Sequence, residues 1–417
     1  MVQISQSASA QNALSSAAPS KFTFTFWKGR VALYGALKAL GIGPGDNVIV
    51  PGYTCAMVPG AALFAGANCI YADIDPQTYS PSLGTYSDAF EANHGKRIKA
   101  LLLQHTYGIP GTSPRIAAWA RAQGMAVIED CAHSLGTRYC DDRGIWQEAG
   151  SAGDVAIFSS QWSKPVSTGL GGWLSTTNKN LAKKLARFHD EECNNPSFRE
   201  LSLLAGQLAL RSIFSSPRLY WMAADAFRTL ANHGVFVGTN DSGEFDGKMP
   251  ERYAKKMSGL QEWLLKKRLA STVVLVRRRN LKLAYDEALR SFGLPALDVP
   301  HYADPVLLRY PMRVRNKADV LEKARKKRIE IGDWFNHPLH PREANAEAFG
   351  YRPGMCPEGE RAAREVINLP LTERTTEKKA REAVKFLSQV AEIWVGLHKP
   401  CCQSANPAIV NRCPSSC

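Results

Sequence analysis

The sequence contains no uninterrupted apolar run close to the roughly 20 residues that a membrane-spanning helix needs. Its first 20 residues are rich in Ser, Ala and Gln and lack a charged start followed by an apolar core. We therefore predict a disordered N-terminal arm over residues 1–20 rather than a secretory signal. The chain also lacks an internal repeat, a zinc-finger signature and an RNA-binding signature. These absences favour a globular, cytoplasmic protein.

Acidic residues are few relative to basic ones, because 38 Asp and Glu face 52 Lys and Arg, for a formal net charge of +14. Such a charge first suggests nucleic acid as a partner. The basic residues are dispersed over several segments, however, and an anionic small molecule such as a nucleotide or phosphate ester explains the sign equally well. We predict no nucleic-acid partner.

Paired cysteine motifs are absent, although the chain has ten cysteines. Six are scattered singly and are expected to be reduced thiols. The other four lie in a Cys-rich tail over residues 398–417, at Cys401, Cys402, Cys413 and Cys417. Their spacing is not the paired form typical of zinc sites, so we predict a frayed tail and no metal, with zinc binding by these thiols as the alternative.

What the chain does contain is a regular alternation of short apolar runs and helix-length segments over residues 27–176. Predicted strands lie at residues 48–50, 69–73, 100–104, 126–130, 155–158 and 172–175, and predicted helices at residues 31–40 and 113–123. Short buried strands separated by helices are typical of a mostly parallel sheet covered on both faces. Ligands of such sheets bind at the carboxyl ends of the strands.

The rest of the chain suggests additional units around this α/β core. We predict a large domain over residues 21–255, with an amphipathic helical insertion at about 193–250 that breaks the strand–helix rhythm. The insertion either packs on the protein body or a partner subunit, or contacts a membrane surface. A basic helical pattern over residues 256–291 is expected to link the large domain to a small α+β domain, the two together covering residues 256–397.

Four chemical elements of a pyridoxal-phosphate site occur in the expected order. Lys164 follows the fifth predicted strand and offers an amine for a Schiff base. Asp130 ends the fourth strand, where a carboxylate can keep the pyridine nitrogen protonated. Gly29 opens a predicted helix whose N–H groups can face a phosphate, and Ser159 adds a hydroxyl. Each has an ordinary alternative, since loop lysines are commonly surface charges and strand-terminal aspartates commonly cap helices.

These residues lie in stretches that resemble the DegT/DnrJ/StrS sugar aminotransferases, which have the aspartate-aminotransferase-like fold. The strongest matches are GRVAL at 29–33, LGIGPGD at 40–46, VIVPGYT at 48–54, YADID at 71–75, HTYG at 105–108, VIEDCAH at 127–133 and GDVAIFS at 153–159. Weaker matches are MSGLQ at 257–261 and NLPL at 368–371. The resemblance implies a fold-type-I pyridoxal-phosphate transferase with a large, mostly parallel sheet domain and a smaller C-terminal α+β domain.

The resemblance also implies roles for individual residues. Lys164 matches the Schiff-base lysine and Asp130 the partner of the pyridine nitrogen. Ser159 and the backbone of Gly29, Arg30 and Val31 match the phosphate ligands.

Two more positions follow from the same resemblance. His133 stands where the family places a Gln or His near the cofactor ring, with a buried core histidine as the alternative. Lys256 lies in the segment that reaches the phosphate of the neighbouring subunit's cofactor, which implies a homodimer with shared active sites.

Four positions depart from the family pattern. Cys55 replaces an aromatic residue that usually stacks on the cofactor ring, Gln161 a common His and Leu170 a common Glu. Ala254 stands in place of the usual Asn before the 257–261 stretch. These departures bear on the substrate more than on the cofactor.

The resemblance implies an aminotransferase that moves an amino group from an amino acid, with glutamate expected, to a keto sugar, with a nucleotide-linked sugar expected. One alternative is a sugar dehydratase-like reaction, but related dehydratases replace the lysine with His, and Lys164 argues against that branch. Another is a non-catalytic regulatory protein on the same fold, in which the changes at Cys55 and Leu170 mark lost activity.

Overall fold

The computed structural model describes residues 22–214, 241 and 243–394. The predicted N-terminal arm, the Cys-rich tail and the middle of the insertion at 215–240, on which the membrane-contact alternative depends, therefore lie outside the described residues. Within the described ranges, no helix combines the length and the apolar character that crossing a membrane requires.

The centre of the molecule is a seven-stranded sheet. Its strands are β1 (Phe22–Phe26), β2 (Asn47–Pro51), β4 (Asn68–Ala72), β5 (Ile98–Gln104), β6 (Ala126–Asp130), β9 (Val155–Ser159) and β10 (Gly172–Thr176). They lie in the order β1-β10-β9-β6-β5-β2-β4. The five strands from β9 to β4 in this order are parallel, whereas β10 runs antiparallel to both β9 and β1. The predicted mostly parallel sheet is confirmed.

Helices cover both faces of this sheet, as the continuous apolar strands predicted. The helices are α1 (Gly29–Ala39), α2 (Met57–Phe64), α3 (Leu83–Glu91), α4 (Ser113–Ala122) and α5 (Lys179–Arg187). Alternate residues of β2 enter different cores: Val48 and Val50 pack with α1, α2 and α5, and Ile49 packs with α3 and α4. Every side chain of a buried parallel strand must therefore be apolar or be paired.

The C-terminal elements, which follow α6 (Phe198–Phe214) in the chain, are α7 (Gly259–Leu269), α8 (Val273–Ser291), β11 (Ala303–Asp304), β12 (Tyr310–Arg313), α9 (Lys317–Lys326), β13 (Leu339–His340), α10 (Pro357–Glu365), β14 (Val366–Leu369) and α11 (Glu377–Val390). Residues of α8, β12, α9, α10, β14 and α11 form a separate apolar core beside the sheet. The basic pattern over 256–291, which suggested one long helix, divides into α7 and α8. Ser258 begins α7 with a reciprocal cap to Gln261, and the chain leaves the helical path between Leu269 and Val273.

Three short strands of the large unit lie outside the main sheet: β3 (Thr54–Cys55), β7 (Arg138–Cys140) and β8 (Trp146–Glu148). Strand β3 pairs with β13 of the C-terminal elements, with Thr54 opposite Leu339 and Cys55 opposite His340. This pairing holds residues 334–340 at the carboxyl edge of the sheet. A second anchor is Asp73, whose carboxylate accepts the N–H groups of Glu358 and Gly359 at the start of α10, both at 2.9 Å.

Near this edge the backbones of Gly172 and Gly29 lie so close together that adding one methyl group should destabilise the fold. A Cβ on Gly172 would lie 2.3 Å from the Cα of Gly29. We expect Gly172→Ala to lower the free energy of unfolding by about 2–3 kcal/mol in urea titrations, because the strand and the helix start must separate. Gly206→Ala is the matched control: nothing lies within 4 Å of its new Cβ inside α6, so stability should hold or rise. Equal unfolding midpoints for both variants would contradict this packing.

Candidate active site

A cleft of about 810 Å³, including its opening to solvent, lies at the carboxyl ends of β5, β6 and β9. This is the edge at which parallel sheets bind ligands. Nine of its lining residues are among the predicted site residues and the departures from the family pattern, and they come from distant parts of the chain. Its walls include Gly29, Arg30, Cys55, Asp130, His133, Ser159, Gln161, Lys164, Leu170, Trp334 and Phe335.

Lys164 lies in the loop between β9 and β10 with only 8% of its surface exposed. The loop is closed by backbone hydrogen bonds from Thr168 to Ser160 and from Ser160 to Gly171, at 2.7 and 2.9 Å. Burial lowers the pKa of Lys164 to about 8, although the Asp130 carboxylate acts in the opposite direction. A buried amine with this pKa is neutral far more often than a surface lysine, which makes it a better nucleophile.

Asp130 ends β6 and faces the cleft, where its Oδ1 accepts the N–H of Ala132 at 2.9 Å. Burial raises the pKa of this carboxyl, while the Ala132 N–H and the Lys164 ammonium oppose the change. Asp130 is therefore a buried acceptor beside a buried amine.

The neighbouring Glu129 turns to the opposite face of the strand, as alternation requires. Its carboxylate accepts N–H groups from Gly150, Ala152 and Gly153 at 2.7–2.9 Å and bonds to His105 Nε2 at 2.8 Å. With Cys131, Glu129 and His105 form a buried cluster of the kind that can bind a metal. Because both Glu129 oxygens are already hydrogen-bonded, the cluster fits a structural network better than a metal site.

The start of α1 and the end of β9 meet at one end of the cleft. A Cβ on Gly29 would lie 3.2 Å from the Cβ of Ser159 and 3.3 Å from its Oγ, so the missing side chain leaves the hydroxyl against the helix start. Free N–H groups of a first helical turn attract anions. Val31 does not line the cleft, and its N–H donates to the Lys28 carbonyl at 3.1 Å.

Two acids from the insertion contact the cations at this end. Glu244 Oε2 lies 2.8 Å from Arg30 Nη1 and 3.7 Å from Lys28 Nζ, and Asp241 Oδ2 lies 2.7 Å from Lys28 Nζ. Burial and then Arg30 lower the pKa of Lys28, and the two acids raise it. The sequence contained no signal for these pairs, because the partners are more than 200 residues apart.

The opposite wall is aromatic. His133 is buried, and burial, followed by the charges of Lys164 and Arg309, lowers its pKa well below the usual range. Its ring lies 4.9 Å from the Trp334 ring, and the Lys164 Nζ lies 4.9 Å from the same Trp334 centroid. Sequence reasoning missed Trp334, which is placed by the β3–β13 pairing rather than by a motif of its own.

Lys256 is a predicted site residue that the structure places outside the lining of this cleft. Its backbone bridges to Phe26, and its Nζ lies 3.7 Å from Asp190.

The residues that do surround the cleft suit pyridoxal phosphate: an amine, a buried carboxylate, and a hydroxyl at a helix start where a glycine leaves space.

The interaction between the Lys164 amine and the Asp130 carboxylate predicts how the reactivity of Lys164 depends on pH. In cofactor-free protein, we expect aldehyde modification of Lys164, trapped with borohydride and read by peptide mass spectrometry, to rise with pH around a midpoint of about 8. Asp130→Asn should move that midpoint lower, because the carboxylate that favours the ammonium is removed. Asp142→Asn, at an exposed acid paired with Arg115, should leave it unchanged. An unmoved midpoint in Asp130→Asn would show that the two groups do not interact.

Comparison with known proteins agrees with this architecture. The model of the DegT/DnrJ/EryC1/StrS aminotransferase family matches residues 11–206 and 222–388. A UDP-N-acetyl-3-dehydro-alpha-D-glucosamine 3-aminotransferase from Acidithiobacillus ferrooxidans is 39% identical over 158 residues, which is 38% of this chain and 40% of the relative. GDP-perosamine synthase from Escherichia coli O157:H7 is 36% identical over 168 residues, which is 40% of this chain and 44% of the relative. These alignments therefore span less than half of each relative.

A solved structure extends the similarity of the fold over nearly the whole chain. The DegT DnrJ EryC1 StrS aminotransferase from Brucella abortus superimposes with a TM-score of 0.69 at 19% identity, covering 92% of this chain and 89% of that protein. The family match spans most of the sequence, and the fold is of the same type. The chain belongs to the DegT/DnrJ/EryC1/StrS aminotransferase family, whose cofactor is pyridoxal phosphate.

Proposed function

We propose that this protein is a pyridoxal-phosphate aminotransferase that moves an amino group from an amino acid to a keto sugar. The observation that carries the proposal is the buried amine of Lys164, with a pKa of about 8, in one cleft with the buried Asp130 carboxylate. We further propose glutamate as the donor and a nucleotide-linked sugar as the acceptor. The net charge of +14 supports a substrate that carries a diphosphate.

Lys164 would act twice, first as the amine that binds the cofactor and then as the base that moves a proton. With a pKa of about 8, roughly a fifth of the amines would be neutral near pH 7.4, against fewer than about one in a thousand for an ordinary lysine. Its burial keeps water away from the proton that it carries. The same group is thus suited to attack and to proton transfer.

Bound pyridoxal phosphate supplies an electron sink for the carbon that carries the amino group. Asp130 would hold the pyridine nitrogen in its protonated form, since the carboxylate is buried and has only one N–H donor among the described residues. His133 would contact the ring as a neutral imidazole. Gly29, Arg30 and Ser159 would form the phosphate end, with the Ser159 hydroxyl as the side-chain donor, whereas the Val31 N–H already donates to the Lys28 carbonyl.

We also propose that the protein works as a homodimer. Large apolar side chains remain exposed on α7 and at the start of α8, namely Leu260, Trp263, Val273 and Val276. Exposed apolar patches of this kind support a contact with another chain. Lys256 precedes α7 and does not line its own cleft, so we propose that it reaches the cofactor phosphate of the partner subunit.

We propose the cytoplasm as the location of the protein. The six described cysteines are free thiols, which supports a reducing compartment of this kind.

Removing the amine of Lys164 tests whether this residue binds the cofactor. Cofactor-loaded wild-type protein should show the visible absorbance of lysine-bound cofactor, and this absorbance should convert when glutamate or another suitable donor is added. Lys164→Ala should lose both the absorbance and the conversion, whereas Lys183→Ala, at an exposed position of α5, should keep both. Acceptor specificity follows from assaying nucleotide-linked and free keto sugars with the donor-loaded protein.

Two results would reject the proposal. Retention of lysine-bound absorbance in Lys164→Ala would remove Lys164 from the reaction. Binding of cofactor without conversion by any donor would favour the non-catalytic, regulatory alternative.

The proposed dimer predicts how a charge on α7 changes the oligomeric state. We expect sedimentation velocity to show a dimer for the wild type and a shift toward monomer for Trp263→Glu, because a charge replaces an apolar contact. Met355→Glu, at an exposed apolar residue away from α7, is the matched control and should remain dimeric. A monomeric wild type at micromolar concentration would exclude the dimer.

A further inference from the structure

Tyr107 lies directly behind the aromatic wall of the cleft and is fully buried. Its hydroxyl donates to the carbonyl oxygen of Trp334 at 2.7 Å and accepts the N–H of Phe335 at 3.1 Å. Its backbone N–H donates to His133 Nδ1 at 3.3 Å. One residue outside the cleft therefore contacts three residues that line it.

The backbone of Tyr107 is held in an unusual conformation, with φ 59° and ψ 2°. Such left-handed geometry is uncommon for a residue with a large side chain and persists only where the surroundings enforce it. Its carbonyl accepts the N–H of Leu308 at 2.7 Å. The following Gly108 has no room for a side chain, since a Cβ there would lie 2.5 Å from the Val306 carbonyl oxygen. Tyr107 therefore cannot easily move away from Trp334.

Trp334 in turn contacts the reactive lysine. Its ring centroid lies 4.9 Å from the Lys164 Nζ and also 4.9 Å from the Arg309 guanidinium carbon. A positive charge over an indole face is attracted by the ring, so Trp334 favours the protonated form of Lys164. This contact depends on where the Trp334 backbone is held. Tyr107 bonds to both the C=O and the N–H of the peptide group that joins Trp334 to Phe335.

We propose that Tyr107 is a positioning residue of the active site, whose hydroxyl holds the Trp334 ring against Lys164. The inference rests on the proposed role of Lys164 and adds to it a control of the lysine's proton by a residue outside the cleft. Other groups that act on Lys164 are Asp130, Cys55, Arg309, Arg278 and His133. None of them is removed in the variants below.

The test compares pH titrations of the visible absorbance of cofactor-loaded protein. Tyr107→Phe keeps the ring and removes the hydroxyl, so the Trp334 peptide loses two hydrogen bonds. We expect the titration midpoint of the lysine-bound cofactor to fall by about half a unit to one unit, because the indole face no longer favours the protonated nitrogen. Tyr285→Phe is the matched control: it removes an equally buried hydroxyl, bonded to the Pro370 carbonyl at 3.0 Å, and should not move the midpoint.

A second variant keeps the test decisive if Tyr107→Phe does not fold. Trp334→Leu retains the carbonyl and the neighbouring N–H that Tyr107 binds but removes the aromatic face, and it should lower the midpoint in the same direction. Where both variants fold, adding Tyr107→Phe to Trp334→Leu should cause no further shift. The inference is overturned if Trp334→Leu leaves the midpoint at the wild-type value, or if the two shifts add.

The outcomes separate this inference from the proposed function. Absence of lysine-bound absorbance in the wild type would reject the proposed function itself. Normal absorbance with an unmoved midpoint in Tyr107→Phe would reject only the positioning role.

Discussion

The interaction on which the candidate site depends is the burial of an amine and a carboxylate in one cleft. Removing charges from water is costly unless they are paired or hydrogen-bonded. Burial acts on the two groups in opposite directions, lowering the pKa of Lys164 and raising that of Asp130, and each charge partly offsets the effect on the other. With a pKa of about 8, Lys164 can gain and lose a proton near neutral pH, which is the property that proton transfer requires.

The cleft lies where residues of the C-terminal part of the chain meet the carboxyl edge of the sheet. The β3–β13 pairing, the Asp73 cap on α10 and the hydrogen bonds of Tyr107 all fasten C-terminal elements to that edge. Without these contacts, the Trp334 ring would not be held 4.9 Å from the Lys164 amine. The chemistry of the lysine is thus determined in part by residues that never touch the cleft.

Charge at the other end of the cleft is balanced within the protein. Glu244 and Asp241 already pair with Arg30 and Lys28, so an incoming phosphate meets cations that are not free. The N–H groups at the start of α1 and the Ser159 hydroxyl carry no charge to be neutralised and remain suited to an anion. This arrangement gives the insertion a direct contact with the proposed phosphate end.

The sequence by itself determined six of the seven strands of the main sheet, the order of the chemical groups and the family. Predicted strands such as 126–130 and 155–158 agree with β6 and β9 to within a residue, because buried parallel strands are continuous apolar runs. Asp130 and Ser159 were found because residues that end such strands must lie at the ligand edge, and Lys164 because it follows one of them. The break between α7 and α8 was missed, since a basic pattern continues across it.

The tertiary structure alone decided the surroundings of these groups. Trp334, Tyr107 and Glu244 reach the site through contacts with residues more than 200 positions away, for which local patterns carry no information. The low pKa of Lys164 is likewise a property of burial and not of its neighbours in sequence. Local sequence specifies which groups arrive at the sheet edge, whereas packing determines how much water and charge surround them, and therefore what they can do.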